Sequence, residues 1–315
     1  MAHEPVLARE VTGFLAPALE RGGVIVDATL GRAGHARRIL EAAPGSFLVG
    51  IDRDPEALAA SRADLASFGD RFVLVRDDFA NLEAVLERLG IAEVRGVLLD
   101  LGVSSPQLDQ PARGFSFRGD GPLDMRMDPE ADLTAHEVVN AYPQHELERV
   151  ISRYGEERFA RRIARAIIAR RPIENTTELA EIVKAAIPAA TRRTGPHPAR
   201  RTFQGIRIEV NGELEALDRA LPAAVGSTQP GGRLAVISYH SLEDRRVKRF
   251  FLDEASGCVC PPGLPICSCT AEARVRVLTR KPVTPTDEEI ESNPRAKAAK
   301  LRVAERLLIE RRTAA

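Results

Sequence analysis

The stretch "VIVDATLGRAGHA", residues 24–36, decides the fold. A β-branched run stops at an acid and breaks into a turn with two glycines, followed by a helix-forming segment. Three further runs repeat the first half of that pattern. "FLVGIDRD", "RFVLVRDDF" and "VRGVLLDLG" are short, apolar, and each closes on an acid. Between them lie stretches with helical spacing: "HARRILEAA", "PEALAASRADLASFG" and "NLEAVLERLG". Strand and helix alternating at this interval predict βαβ units and a parallel sheet covered on both faces. "LAREVTGFLAPAL" predicts a helix ahead of the first strand.

Beyond Asp100 the rhythm changes. Residues 107–133 are rich in Gly, Pro and Asp without periodicity, and predict a long ordered loop. Helices are predicted over 134–151, 156–171, 176–187 and 205–221, the third opened by a capping box led by Thr176 or Thr177. "GGRLAVISYHS" (231–241) predicts a returning strand and "KLRVAE" a last one. The expected fold is α/β, with a discontinuous domain over 1–106 and 208–315. An inserted loop and helical substrate-binding domain fill 107–207.

Composition narrows the function. The 315-residue chain carries 45 Lys+Arg and 45 Asp+Glu, so any affinity for nucleic acid has to be local. It is local: Arg149 to Arg207 holds 14 basic residues against 5 acidic ones. The arm "RRTGPHPARRTFQGIR" (192–207) contributes Arg192, Arg193, Arg200, Arg201 and Arg207, with few aromatics, which suits phosphate contacts better than base readout. The alternative for the neighbouring helix is a solvated face with pairs such as Glu157–Arg161. No apolar run reaches transmembrane length and the charged start excludes a signal peptide, so a cytoplasmic protein is expected. Four cysteines cluster at Cys258, Cys260, Cys267 and Cys269. That spacing suits a structural tetrahedral zinc site, with reduced, unliganded thiols as the next reading and disulfides as the least favoured.

The turn also discriminates between cofactors. A dinucleotide fingerprint needs three glycines opening a helix under a pyrophosphate, whereas Gly31-Arg32-Ala33-Gly34-His35 has two and follows Asp27. A carboxylate there repels a pyrophosphate and suits the cationic amino-acid tail of S-adenosylmethionine. Gly31 and Gly34 are expected to let the backbone approach that ligand. Asp52 is placed to accept hydrogen bonds from ribose hydroxyls. Asp77 or Asp78 beside Phe79 offers an acceptor and a stacking face for adenine, and Asp100 ends the fourth strand. A nicotinamide oxidoreductase is the disfavoured alternative. A non-catalytic RNA-binding protein on the same fold is the other.

With "DLGVSSPQLD" (100–109) the chain resembles a known family. "DATLGRAGH", "GIDRDPEAL", "RGFSFRGDGPLDMRMDP", "YGEERFARRIARAI", "HPARRTFQGIRIEVNGELEAL" and "GGRLAVISYHSLEDRRVKRFF" extend the match from His3 to about residue 307. Together they resemble the bacterial 16S rRNA (cytosine-N(4)) methyltransferases. The resemblance implies a Rossmann-like, S-adenosylmethionine-dependent methyltransferase with a parallel-rich sheet and an inserted helical domain. Its implied substrate is a cytosine in the decoding centre of the small ribosomal subunit. It also implies cofactor contacts at Ala33, Gly34, His35, Asp52, Phe79, Asp100 and Gln107. The family turn more often reads Gly-Gly-His, so Ala33 is a departure. "SSPQ" (104–107) resembles half of the Ser/Asn/Asp-Pro-Pro-aromatic stretch of base amino-methyltransferases. Ser104 or Ser105 and the carbonyl before Pro106 are then expected to accept the amine hydrogens. His240, in "SYHSLED", is expected as a proton acceptor, a base contact or a buried hydrogen-bonding histidine. Phe115 and Phe117 are candidate stacking faces or core plugs, and the loop with Asp120 and Asp124 is a candidate cover for the base.

Overall fold

The computed structural model describes residues 4–192, 197–257, 260 and 272–309. The first hundred residues run α1 (Ala8–Leu19), β1 (Gly23–Asp27), α2 (Gly34–Ala42), β2 (Ser46–Asp52), α3 (Pro55–Asp64), β3 (Phe72–Arg76), α4 (Leu82–Arg88) and β4 (Val94–Asp100). A helical stretch follows: α5 (Ser105–Asp109), α6 (Ala135–Asn140), α7 (Gln144–Arg153), α8 (Ala160–Ile168), α9 (Thr176–Ala186), α10 (Ala189–Arg192) and α11 (Arg200–Asn211). The chain closes with α12 (Glu213–Ser227), β5 (Thr228–Ser238), α13 (Ser241–Ser256), β6 (Val275–Val277), α14 (Asp287–Ser292) and β7 (Lys300–Arg306).

Contacts divide the chain into two compact units, 1–102 with 215–315, and 103–214. The second is somewhat wider than the expected 107–207, because α11 continues unbroken to Asn211.

The first unit is built on a seven-stranded sheet in the order β3-β2-β1-β4-β5-β7-β6. Strands β1 to β5 pair in parallel, while β7 is antiparallel to both β5 and β6. The chain leaves β1 toward β2 and β3, then returns to β4 on the other side of β1. That reversal is the topological switch point of a doubly wound, Rossmann-like sheet. Successive residues serve opposite faces. Ile25, Leu48, Leu98 and Ala235 pack in one buried cluster with Leu7, Val11, Leu15 and Ile39. Val26, Val49, Leu99 and Val236 pack in the other with Leu82, Val85, Leu217 and Phe251. No helix among the described residues is long and apolar enough to cross a membrane.

In the second unit the non-periodic stretch is pinned by side chains to main-chain atoms. Arg113 donates to the carbonyls of Arg126 (3.1 Å) and Met127 (3.0 Å). Asn211 donates to the Met125 carbonyl and accepts the Met127 N–H, both at 2.8 Å. Thr176 ties down Gly119 and Gly121.

Three helix expectations need correction. The single helix predicted over 134–151 is two, α6 and α7, because Pro143, the residue just before α7, has no N–H to continue the ladder. The one predicted over 205–221 breaks at Gly212, whose φ of +58° ends α11 in a left-handed cap. The cap of α9 is Asn175, not a threonine; its Oδ1 accepts the Glu178 N–H at 2.8 Å.

Candidate functional site

The carboxyl ends of β1, β2 and β4 place three acids in the first unit. Asp27 is 1% exposed and accepts the Thr29 N–H at 3.2 Å. Burial pushes its carboxyl up to about 7, opposed by nearby His35 and the Thr29 N–H and reinforced by the charges of Asp100 and Asp52. Asp52 accepts the Gly31 N–H on Oδ2 (2.8 Å) and the Asp54 N–H on Oδ1 (2.9 Å). Burial raises it too, against those two hydrogen bonds. Thr29 Oγ1 accepts the Asp100 N–H at 2.6 Å, which ties the end of β4 to the turn after β1.

That turn is held from three sides. Leu30 N–H donates to the Ile51 carbonyl, Gly31 N–H to Asp52, and the buried Ser61 hydroxyl to the Gly31 carbonyl at 2.7 Å. Gly31 (φ +51°) and Ala33 (φ +55°) are both left-handed. For Ala33 that conformation costs roughly 1–2 kcal/mol, which gives the departure from glycine a physical meaning. Gly34 has a packing reason as well. A Cβ there would lie 3.3 Å from Pro5 Cβ and Cγ, so its missing side chain makes room for the N-terminal segment. The N-cap of α2 is Ala33, which offers no side-chain acceptor, so the N–H groups of its first turn take no bond from the cap.

His35 lies on that first turn, 5% exposed, with neither ring nitrogen hydrogen-bonded; its Nε2 is 3.6 Å from Asp100 Oδ2. Tyr239, at the end of β5, donates its hydroxyl to Asp100 Oδ1 at 2.9 Å. Burial and the adjacent Asp100 charge hold the phenol well above its ordinary pKa, so it stays a donor. The sequence reading missed Tyr239. Its only signal was a strand ending in "SYHS", and the partnership with Asp100 exists only because β5 pairs beside β4.

Phe79 opens a short turn after β3, half-buried against the core. The acids before it are committed elsewhere. Asp77 accepts from Arg88 (2.6 Å) and Asn81 (2.7 Å). Burial raises its carboxyl, but these hydrogen bonds outweigh that and hold it below the usual range. Asp78 caps Ala80 and lies 3.3 Å from Arg53. His240 is the N-cap of α13. Its Nε2 is 3.2 Å from Glu243 Oε1, and Glu243 Oε2 accepts the N–H groups of Tyr239 and His240.

In the second unit, Ser104 is the N-cap of α5 and Ser105 its first residue; buried Gln107 turns its Oε1 back to the Ser104 N–H at 3.1 Å. Phe115 is buried, and Phe117 stacks on His197 at 4.4 Å, with Phe203 edge-on. Asp124 is paired with Arg126 and Asp120 accepts from Thr177, so both carboxylates already have partners. Arg207 is bidentate to Glu213 at 2.7 and 2.8 Å, which withdraws it from the expected phosphate contacts. Arg200 and Arg201 are exposed; Arg193 and the side chain of Arg192 lie outside the described residues. So do Cys258, Cys267 and Cys269, and with them the expected zinc site; of the four cysteines only Cys260 is among the described residues.

A family model described as the MraW methylase family matches residues 1–307. A ribosomal RNA small subunit methyltransferase H of Heliobacterium modesticaldum is 53% identical over 310 residues, covering 97% of this chain and 98% of the relative. The protein of the same name from Carboxydothermus hydrogenoformans is 53% identical over 309 residues, with 97% and 98% covered. That from Thermobifida fusca is 52% identical over 309 residues, with 97% and 93% covered.

Proposed function

The chain belongs to the MraW methylase family, and on that premise we propose that it methylates the exocyclic 4-amino group of a cytosine in the decoding centre of 16S rRNA, with S-adenosylmethionine as donor. The observation that carries the cofactor reading is the arrangement of Asp27, Asp52 and Asp100 at three adjacent strand ends around the uncapped first turn of α2.

The residues fit the group. Each Asp52 oxygen already takes one backbone N–H and keeps a second lone pair for a ribose hydroxyl. The first-turn N–H groups of α2, from Gly34 and His35 onward, suit a carboxylate. The acids favour a cation over a pyrophosphate, and His35, with no hydrogen bond to its ring nitrogens among the described residues, lies beside Asp100. Phe79 offers a face for adenine. When bound, S-adenosylmethionine supplies a methyl group made electrophilic by the sulfonium that carries it.

A cytosine amine is a poor nucleophile because its lone pair is delocalised into the ring. The protein's task is to accept its N–H bonds and hold the nitrogen in line, and positioning of this kind is worth up to roughly 7–11 kcal/mol in ideal cases. Ser104, Ser105 and the Ser105 carbonyl follow Asp100 closely in sequence and are the proposed acceptors. Asp100 is the proposed group for the proton released once the nitrogen is alkylated. His240, capping α13 beside Glu243, is assigned a positioning role. Tyr239 fixes the Asp100 carboxylate. Tyr239→Phe is therefore expected to lower kcat about tenfold, the worth of one hydrogen bond of about 1.5 kcal/mol to a charged group, with cofactor affinity unchanged. Equal losses in kcat and cofactor affinity would assign Tyr239 to the fold instead.

The experiment for the function is to incubate the chain with S-adenosylmethionine and unmodified small subunits and map the methylated nucleotide. One N4-methylated cytosine in the decoding centre is expected. Methylation of a different base or a different atom would overturn the assignment.

A further inference from the structure

We propose that the outward face of α8, with the turn before it and the start of α11, grips the RNA phosphate backbone without reading sequence. The inference rests on the RNA-methyltransferase reading and names the surface by which the second unit holds its substrate.

Helix α8 buries Ala160, Ile163, Ala164 and Ile167. Its opposite side presents Arg161, Arg162 and Arg165, all exposed, and Arg158 is exposed one turn earlier. Arg161, Arg162 and Arg165 form a stripe on that side of the helix, and Arg158 lies on the turn just before it. The guanidinium of Arg158 is braced over the Phe159 ring at 4.7 Å.

A second pair of arginines adjoins the stripe. A Cβ on Gly155 would lie 2.4 Å from the Arg201 carbonyl oxygen, so glycine there lets the start of α11 press against the turn leading into α8. Arg201 donates to the Glu156 carbonyl at 3.1 Å. Exposed Arg200 and Arg201 thereby extend the stripe begun by Arg158.

The bland account of such a face is a ladder of intrahelical ion pairs. Its expected partner, Glu157, is 7% exposed and accepts the Phe159 N–H at 2.9 Å. Among the described residues, Arg158, Arg161, Arg162 and Arg165 meet no carboxylate, while Arg126, Arg149 and Arg207 of the same unit are each paired with one. Arg161 and Arg165 are like charges four apart on α8, a small penalty to the helix. A polyanion laid along the stripe removes that penalty. The guanidinium fork is matched to phosphate. With Tyr154 buried and Phe159 half-buried beneath Arg158, the face has no free aromatic platform for bases.

The test is the full-length chain carrying Arg158→Gln, Arg161→Gln, Arg162→Gln and Arg165→Gln, which keeps helix propensity. Its affinity for unmodified small subunits, for a small-subunit rRNA fragment and for an unrelated RNA of equal length is measured against salt. All three affinities are expected to fall together, roughly tenfold or more at about 0.15 M salt. The slope of log affinity against log salt should shrink by about 0.7 for each phosphate that is no longer neutralised. Cofactor affinity should stay at the wild-type value, and the matching Arg→Lys variant should recover most of the binding. Wild-type slope and affinity in the Gln variant would overturn the proposal, as would a loss confined to the cognate sequence. Should the wild type methylate subunits while the Gln variant binds them normally, the surface fails and the function stands. Should these arginines control RNA binding while no subunit is methylated, the function fails and the surface stands.

Discussion

Asp52→Ala is expected to weaken S-adenosylmethionine binding by about a hundredfold, measured by calorimetry at pH 7.5. The proposed contact is two hydrogen bonds from ribose hydroxyls to an ionised carboxylate, each worth about 1.5 kcal/mol, and their sum is close to a factor of a hundred. Asp52 also receives the N–H groups of Gly31 and Asp54, so part of the loss comes from a loosened turn. The turn keeps its bonds to the Ile51 carbonyl and to Ser61, so folding should survive. Asp52→Asn retains one carbonyl oxygen and should fall between the two. An Asp52→Ala protein that binds within threefold of the wild type would remove this residue from the cofactor site.

Asp27 is expected to make both stability and cofactor binding depend on pH. Its carboxyl ordinarily titrates at 3.8 and is raised to about 7 in the folded chain. A raised value means the unfolded chain gives up this proton first. The group's contribution is therefore complete below the ordinary value and is lost as pH climbs through about 7. The loss approaches about 4 kcal/mol at full ionisation. Asp27→Asn, which keeps an acceptor for the Thr29 N–H, should gain stability over the wild type in steps that grow between about pH 4 and 7. Binding moves the other way. A cation near Asp27 favours its ionised form, so wild-type affinity should rise roughly fivefold from pH 6 to 7.5 while that of Asp27→Asn stays flat. The range stops there because an α-amino group begins to titrate at about 7.7. Parallel pH profiles for the two proteins would show that Asp27 does not carry this proton.

Strands β1 to β4 were legible because each is a nearly unbroken apolar run that meets an acid at its end, a pattern that a sheet covered on both faces requires, whereas three-residue β6 is too short to carry one. The antiparallel β7 was legible in the alternation of "KLRVAE". The helix breaks at Pro143 and Gly212 carried their ordinary signals, but apolar spacing on either side runs through both positions and masks them. The site was half legible. Acids at strand ends stand out in one dimension. Ser61, inside α3, and Tyr239, 139 residues from Asp100, acquire their roles only when the sheet order brings them together. Gly34 was visible, but its packing against Pro5 was not. Arg207 looked like a free phosphate ligand until the left-handed Gly212 folded Glu213 back onto it.

The most direct test of the central claim is a crystal of the full chain grown with S-adenosylmethionine. The ribose hydroxyls should lie within hydrogen-bonding distance of Asp52, with the amino-acid end against the first turn of α2 and the methyl-bearing sulfur near Asp100. Density for the cofactor at any other place, with the edges of β1, β2 and β4 left bare, would contradict it.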